Sequence, residues 1–363
     1  MAKVLFISNT ARNLYNFRLE LIEKLLTYND VYVLIPDSKD KKILEDMGCN
    51  CITVKINRRG KSIFADIILF FNYLRIINRV NPDIVLSYTI KPNIYGAIAC
   101  RIAKVPIIPS ITGLGVVNGE LFLLDKLTTF LYRLAFKKAD CVFFQNVENL
   151  KCFKEKHILK GRYKLVPGSG VNLKSFKDTK YPPETEKINF LMVSRIMKSK
   201  GIDELIESSK YIKEKYSNVE FNIVGLCEEN YEEKLRKLTK EGVLNYHGFK
   251  ADVKPFIEKA HAVLLPSYHE GMSNSLLEAA AMSRPVLASN VAGCMETFDE
   301  GISGFGFKVK SVDDLNAKLI KFIELPYKEK LAMGLAGRSK MEREFDRNLV
   351  VSAYVREIDS ILS

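Results

Sequence analysis

Long apolar runs are missing from this chain. No segment of about 20 uninterrupted apolar residues occurs, the length a helix needs to cross a bilayer, so nothing reads as a spanning helix. The start, MAKVLFISNT, has one lysine, a short apolar run and then polar residues. It reads as a first strand rather than a secretory leader. Cysteines number seven, an odd count, with no Cys-x-x-Cys, and Cys49 and Cys51 are too close together for an ordinary disulfide. That argues against a disulfide scaffold and for a reducing cytoplasm in which thiols serve as small apolar residues. Histidine is scarcer still. His157, His247 and His261 show no ligand spacing, and His269 is a lone loop histidine, so no metal site is expected.

What the chain does have is size and lopsided charge. Its 363 residues, nearly half of them apolar, suffice for two cores. Residues 1–180 hold 29 Lys/Arg against 15 Asp/Glu, a net +14, whereas residues 181–363 hold 26 against 28, a net −2. This asymmetry points to an anionic partner for the first half, beside the plainer reading of solvated basic faces. A nucleic acid fits poorly, because the basic half carries no aromatic RNA-platform motif. An anionic bilayer surface fits better. Arg58, Arg59 and Lys61 form a basic knot ahead of a greasy stretch at 62–80. In that stretch Ile63, Ile67, Phe70, Phe71, Leu74 and Ile77 mark one broad helical face, while Ile68, Leu69 and Tyr73 spill outside it. Such a helix is either deeply buried or docked on lipid. The stretch 119–140, which ends in Lys137 and Lys138, is a second candidate for docking.

Apolar runs consistent with strands recur over 4–8, 31–35, 52–56, 83–87, 107–111 and 141–145, with helical patterns between them. A polar segment over 178–187 with Pro182 and Pro183 reads as a linker. A second set of strands then follows over 188–193, 220–224, 244–247, 262–265, 285–288 and 305–309, and the chain is helical after Asp313 and Asp314. Strand–helix alternation in both halves predicts two α/β domains with doubly wound parallel sheets, over 1–178 and 179–346. The loop expected at 9–16 contains no glycine; Arg12, Asn16 and the nearby Arg18 are its candidate donors to a ligand.

The organising stretch is AHAVLLPSYHEGMSNSLLEAAAMSRPVLASNVAGC, 260–294. An apolar strand is stopped by Pro266. A polar loop follows, and a short helix begins near Ser273 or Asn274. Such a loop lies at the carboxyl end of its strand, where ligands bind, and the helix N-terminus suits a phosphate. Glu270 and Glu278 bracket the unit.

The spacing Glu270-x7-Glu278 resembles the signature of retaining GT-B glycosyltransferases of family 4. Arg195 and Lys200 in VSRIMKSKGID resemble that family's diphosphate-holding pair, and VPGSGVNLKSF (166–176) and PVLASNVAGCMETF (285–298) resemble its flanking segments. YNFR, ITGLG and LYRLAFKKAD in the first half are similar to transferases that extend polyprenyl-diphosphate-linked sugars, including α-1,3-N-acetylgalactosaminyl transferases.

The resemblance implies a GT-B fold: two Rossmann-like domains facing a cleft, with 347–363 returning to the first. It implies a UDP-sugar donor, a polyprenyl-diphosphate-linked acceptor, no metal, no nucleic acid, and a seat on the inner face of the plasma membrane. By the same resemblance Glu270, Arg195 and Lys200 act at the reacting end. Glu278, Gly271, Met272, Ser273, Asn274, Gly225, Phe249 and Lys250 would hold the donor. Thr112 stands where relatives carry a histidine or an acid, and joins Arg12, Asn16 and Arg18 as a candidate for the acceptor or a phosphate. No acidic pair of the Asp-x-Asp type follows a strand, which disfavours the metal-dependent GT-A class. A GT-B-fold sugar-nucleotide 2-epimerase is the alternative, although the first half offers no clear acid/base set for it.

Overall fold

A computed structural model describes residues 1–56, 62–113, 122–184 and 187–363, the side chains of 122–125 excepted. The basic knot at 58–61, the end of ITGLG from 114, and 119–121 lie outside the described residues. The chain divides into two compact units, 1–169 with 347–363, and 170–346.

In the first unit β1 (Ala2–Ile7), α1 (Ala11–Leu26), β2 (Asn29–Ile35), α2 (Lys41–Asp46) and β3 (Asn50–Thr53) lead to α3 (Ile63–Val80). There follow β4 (Ile84–Tyr88), a π-helical turn (Pro92–Gly96), α4 (Ala97–Ala103), β5 (Ile107–Ile111), α5 (Phe122–Phe136), β6 (Cys141–Phe144), α6 (Val147–Glu155) and β7 (Arg162–Leu165). Among the described residues seven strands form one parallel sheet in the order β3-β2-β1-β4-β5-β6-β7. Alternate residues of β1 explain the two cores. Val4 and Phe6 face the layer of α1, while Leu5 and Ile7 face that of α3.

The second unit runs β8 (Ile188–Val193), α7 (Ile202–Lys215), β9 (Val219–Val224), α8 (Glu232–Lys240), β10 (Asn245–Tyr246), α9 (Lys254–Lys259), β11 (Ala262–Leu265), α10 (Asn274–Ala281), β12 (Val286–Ser289), β13 (Gly304–Phe307), α11 (Val312–Glu324) and α12 (Tyr327–Glu344). Its parallel sheet has the order β10-β9-β8-β11-β12-β13. The final helix, α13 (Arg347–Leu362), is part of the first unit. Val350, Tyr354 and Ile358 join the α1-side core, and Arg347 is held by both carboxylate oxygens of Glu20 at 3.0 Å.

Several local expectations need correction. The break at 169/170 precedes the polar segment at 178–187, because Val171 donates its N–H to Phe345 at 2.8 Å and packs with Leu277 and Met341. The loop expected at 9–16 is much shorter. Thr10 caps α1 by accepting the N–H of Asn13 at 3.2 Å, so Arg12, Asn16 and Arg18 are helical. On α3 the buried face is Leu69, Tyr73, Ile77 and Val80, whereas Ile63, Ile67 and Phe71 are exposed. The expected face is divided: Ile77 is buried and Phe70 and Leu74 pack partly buried on the core, while its remaining members are exposed. Strand β7 was not anticipated, since RYKL is charged and mostly exposed. His261 is a core histidine. Its Nδ1 accepts the Asn189 N–H at 3.1 Å, and burial pushes its pKa down to about 4.

Arg284 locks the frame beneath α10. It is fully buried, and its guanidinium donates to the carbonyls of Met282 and Glu258 at 2.8 Å, Lys180 at 2.9 Å and Ile257 at 3.1 Å. Arg284→Ala strands several buried carbonyls, each costing about 1–3 kcal/mol. We expect the variant to lose about 3 kcal/mol or more of stability, seen as a lower thermal midpoint; an unchanged midpoint would show that the network is dispensable.

Candidate active site

The chemistry-bearing residues of the second unit collect where its strands end. The strands β9, β8, β11, β12 and β13 are neighbours, so the loops that follow them share one edge of the sheet. From the loop after β8 comes Lys200, and from the loop after β11 comes Glu270. Their side chains form an ion pair and are only 13% and 14% exposed. The two loops are stitched together by backbone as well, with the Tyr268 N–H donating to Ser199 O at 2.9 Å.

Arg195 takes a different partner. Its Nη1 donates to Glu228 Oε2 at 2.8 Å, while its side chain remains 49% exposed. Arg195 and Lys200 therefore each have their own carboxylate. Glu228 was missed by the sequence reading, and so was Glu229, which accepts the Lys198 N–H at 2.8 Å. The sequence shows two adjacent acids in the loop that follows β9, but not that the neighbouring loop after β8 is their partner.

Helix α10 begins beside this pair. Ser273 is its N-cap, accepting the Leu276 N–H at 3.4 Å, and the Ser273 N–H donates to Gly293 O at 2.7 Å. The expected set of open N–H groups over 272–274 thus loses its middle member to the protein itself. Those of Met272 and Asn274 donate to no described residue, and Asn274 Oδ1 is buried without a partner. Glu278 follows Asn274 at the i, i+4 spacing and is half-buried. Cys294 lies close to the pair, and burial, then the Glu270 charge, pushes its thiol well above the ordinary range.

Two glycines allow the close packing here. At Gly293, with φ +80°, a Cβ would come within 2.9 Å of the backbone of Glu270 and Gly271. At Gly225 a Cβ would come within 1.7 Å of Ser194 O. Gly225 also donates its N–H to Gly248 at 2.9 Å and accepts from Tyr246 Oη at 3.0 Å. Its missing side chain serves the loop after β8, and both of its backbone polar groups are engaged by the protein. Phe249, 52% exposed, and Lys250 follow Gly248 on the adjoining turn.

The first-unit candidates do not form one cluster. Arg12 is exposed and grips Asp40 at 3.2 and 3.4 Å. Asn16 is exposed, and its carbonyl accepts from Arg347 at 3.1 Å. Arg18 is buried, with its guanidinium 4.8 Å from the centroid of the Tyr88 ring. Thr112 is half-buried just beyond β5. Among the described residues no three His, Cys, Asp or Glu side chains gather as a metal site would require.

The arrangement can receive an anion: a cation held by one carboxylate beside the positive end of a helix. Comparison with known proteins gives the family and the fold. Residues 3–146 match the family described as glycosyl transferase 4-like, and residues 174–340 match glycosyl transferases group 1. The chain is 26% identical over 375 residues to the N,N'-diacetylbacillosaminyl-diphospho-undecaprenol alpha-1,3-N-acetylgalactosaminyltransferase of Campylobacter jejuni, covering 98% of each chain. A glycosyltransferase crystal structure from Rickettsia africae superposes with TM-score 0.81 at 17% identity, over 100% of this chain and 99% of that one. Anabaena Alr3699/HepE, solved in complex with UDP and glucose, gives 0.78 at 18% identity over 99% and 100%.

Gly293→Ala should press the added methyl into the Glu270–Gly271 backbone and move Glu270 away from Lys200. We expect a lower thermal midpoint and loss of nucleotide-induced stabilisation; full stabilisation by UDP would show that the loop position is not critical. With its two doubly wound parallel sheets and these matches, the chain is a GT-B-fold glycosyltransferase of the group 1/4-like kind, related to those of polysaccharide and glycan assembly.

Proposed function

We propose that this glycosyltransferase moves a hexose or N-acetylhexosamine, of the GalNAc or GlcNAc type, from a UDP-sugar to a polyprenyl-diphosphate-linked saccharide, retaining anomeric configuration without a metal. The observation that carries the reading is the Lys200–Glu270 pair beside the N-terminus of α10. A departing nucleoside diphosphate gains charge as its bond to the sugar breaks. Groups that meet that charge favour the transition state over the ground state. A lysine ammonium has three donors, so Glu270 can orient Lys200 with one and leave the others for phosphate oxygens. Arg195 adds a planar fork at the edge, and Glu278 accepts from the ribose hydroxyls. In the transfer the acceptor oxygen bonds to the anomeric carbon, the carbon–phosphate-oxygen bond breaks, and the hydroxyl proton passes to the departing diphosphate on the same face. The donor assignment draws on the nucleotide in the Anabaena structure, and the acceptor class on the Campylobacter relative.

Lys200→Ala and Glu278→Ala should each lower kcat/KM by about 100-fold or more with the circular dichroism spectrum unchanged. The assay is a UDP-sugar panel against short-chain polyprenyl-diphosphate-linked sugars, read by product mass. Undiminished turnover in both variants contradicts the reading.

The same reading includes a peripheral position on the inner face of the plasma membrane. Phe64, Ile68 and Phe71 are 81%, 61% and 60% exposed, and at helical spacing they continue into exposed Arg75 and Arg79. Apolar side chains in line with cations suit an anionic bilayer surface. Phe64→Ser with Phe71→Ser should weaken cosedimentation with phosphatidylglycerol vesicles by about tenfold or more. Equal binding by the double variant removes α3 as the docking face, and no wild-type binding at low salt removes docking altogether.

A further inference from the structure

The two cation–carboxylate pairs after β8 are built differently. In Lys200–Glu270 both side chains are nearly buried, so each partner is fixed. In Arg195–Glu228 the carboxylate is 14% exposed and the guanidinium 49%. The acid is the fixed member of that pair, and the arginine is the one with room to turn.

The backbone explains why Glu228 is fixed. The ladder between β8 and β9 runs on past both strands. Ser194 donates its N–H to Val224 O at 3.1 Å, Ile196 to Leu226 O at 2.9 Å, and Glu228 in turn to Ile196 O at 3.0 Å. Ile196 and Cys227 form a parallel bridge. Gly225 admits Ser194 O into the space of a side chain, so the two segments lie against each other. Glu229 then accepts the Lys198 N–H at 2.8 Å. With the backbone fastened on both sides of it, the Glu228–Arg195 bond is not needed to hold the loop. An ion pair with a half-exposed member also contributes little to stability.

Charge gives the pair another use. Each of these two cations is matched by one carboxylate, so the pairs together carry no net charge. A UDP-sugar arrives as a diphosphate diester. The product leaves with a terminal phosphate, whose second pKa is about 6, and so with nearly one more negative charge near neutral pH. The product is therefore the stronger claimant on a guanidinium, and it is the species that has to leave. A carboxylate held beside Arg195 offers that guanidinium a second anionic partner.

We propose that Glu228 competes with the nucleoside diphosphate product for Arg195 and so weakens the grip on it. Glu228 is a positioning residue that acts through Arg195. This inference rests on the transferase reading above, which assigns Arg195 to the diphosphate, and adds the group that sets how readily the product is released.

The test is titration calorimetry of UDP and uridine against full-length wild type, Glu228→Gln, Arg195→Gln and the double variant. Gln keeps an oxygen for Arg195 and removes the charge, and a charge-assisted bond is roughly twice as strong as a neutral one. Glu228→Gln should bind UDP about tenfold more tightly than wild type, with uridine within about twofold. The inhibition constant of UDP as product should fall by the same factor, and the KM of the UDP-sugar should fall less. In the Arg195→Gln background the same change should leave UDP affinity within about twofold. A gain of affinity is a result that damage to the fold does not produce. UDP binding unchanged or weakened in Glu228→Gln overturns the inference, because Glu228 is then a bystander or an aid to binding. A gain that persists without Arg195 overturns it too, since the carboxylate then repels the phosphates directly. In both cases a wild-type preference for UDP over uridine leaves the transferase reading standing. A wild type that binds UDP no better than uridine contradicts that reading itself, and the inference with it.

Discussion

An ion pair between two loops, Lys200 with Glu270, is the contact around which the second unit is arranged. A nearly buried cation needs a carboxylate, and a nearly buried carboxylate needs a cation, so neither loop is free to choose its position alone. Everything close by serves that juxtaposition. The Tyr268 N–H bonds Ser199, Ser273 bonds Gly293, and Glu296 accepts the Gly293 N–H at 2.7 Å, so three loops along one sheet edge are fastened to one another. Beneath them Arg284 ties the segment around Lys180 to the ends of α9 and α10. The result is a charged group placed in advance beside a helix N-terminus, the preorganisation that electrostatic catalysis requires.

The first unit uses the same sheet plan for a different end. Just after β4 it too holds a nearly buried ion pair, Lys91 with Asp66, and in its core Arg18 stacks on Tyr88. Its outward helix α3 spends one apolar stripe on the sheet and leaves the other exposed.

Much of this was legible in the sequence, for physical reasons that differ by element. The central strands of both sheets read clearly because parallel strands buried on both faces are nearly continuous apolar runs, as β11 is throughout and β4 and β12 are but for Ser87 and Ser289. Helix α10 read clearly because Pro266, a polar loop and a Ser cap punctuate it. Strand β7 did not, since an edge strand with exposed faces carries lysine and arginine at no cost. How far α3 is buried was not legible, because periodicity reveals apolar stripes but not how much of each meets the sheet. Arg12 drew attention as a loop cation, yet one residue, Thr10, starts the helix early and sends Arg12 to Asp40. Glu228 escaped because its role depends on lateral strand order, β9 beside β8, which no local pattern encodes.

The central claim is that Lys200, oriented by Glu270, draws charge from the second phosphate of a nucleoside diphosphate. Titration calorimetry of UDP and UMP against the wild type and Lys200→Met tests it most directly. The account predicts that the wild type binds UDP at least about tenfold more tightly than UMP, a difference of about 1.4 kcal/mol, and that the gap closes in the variant. An equal preference for UDP in both proteins would contradict it.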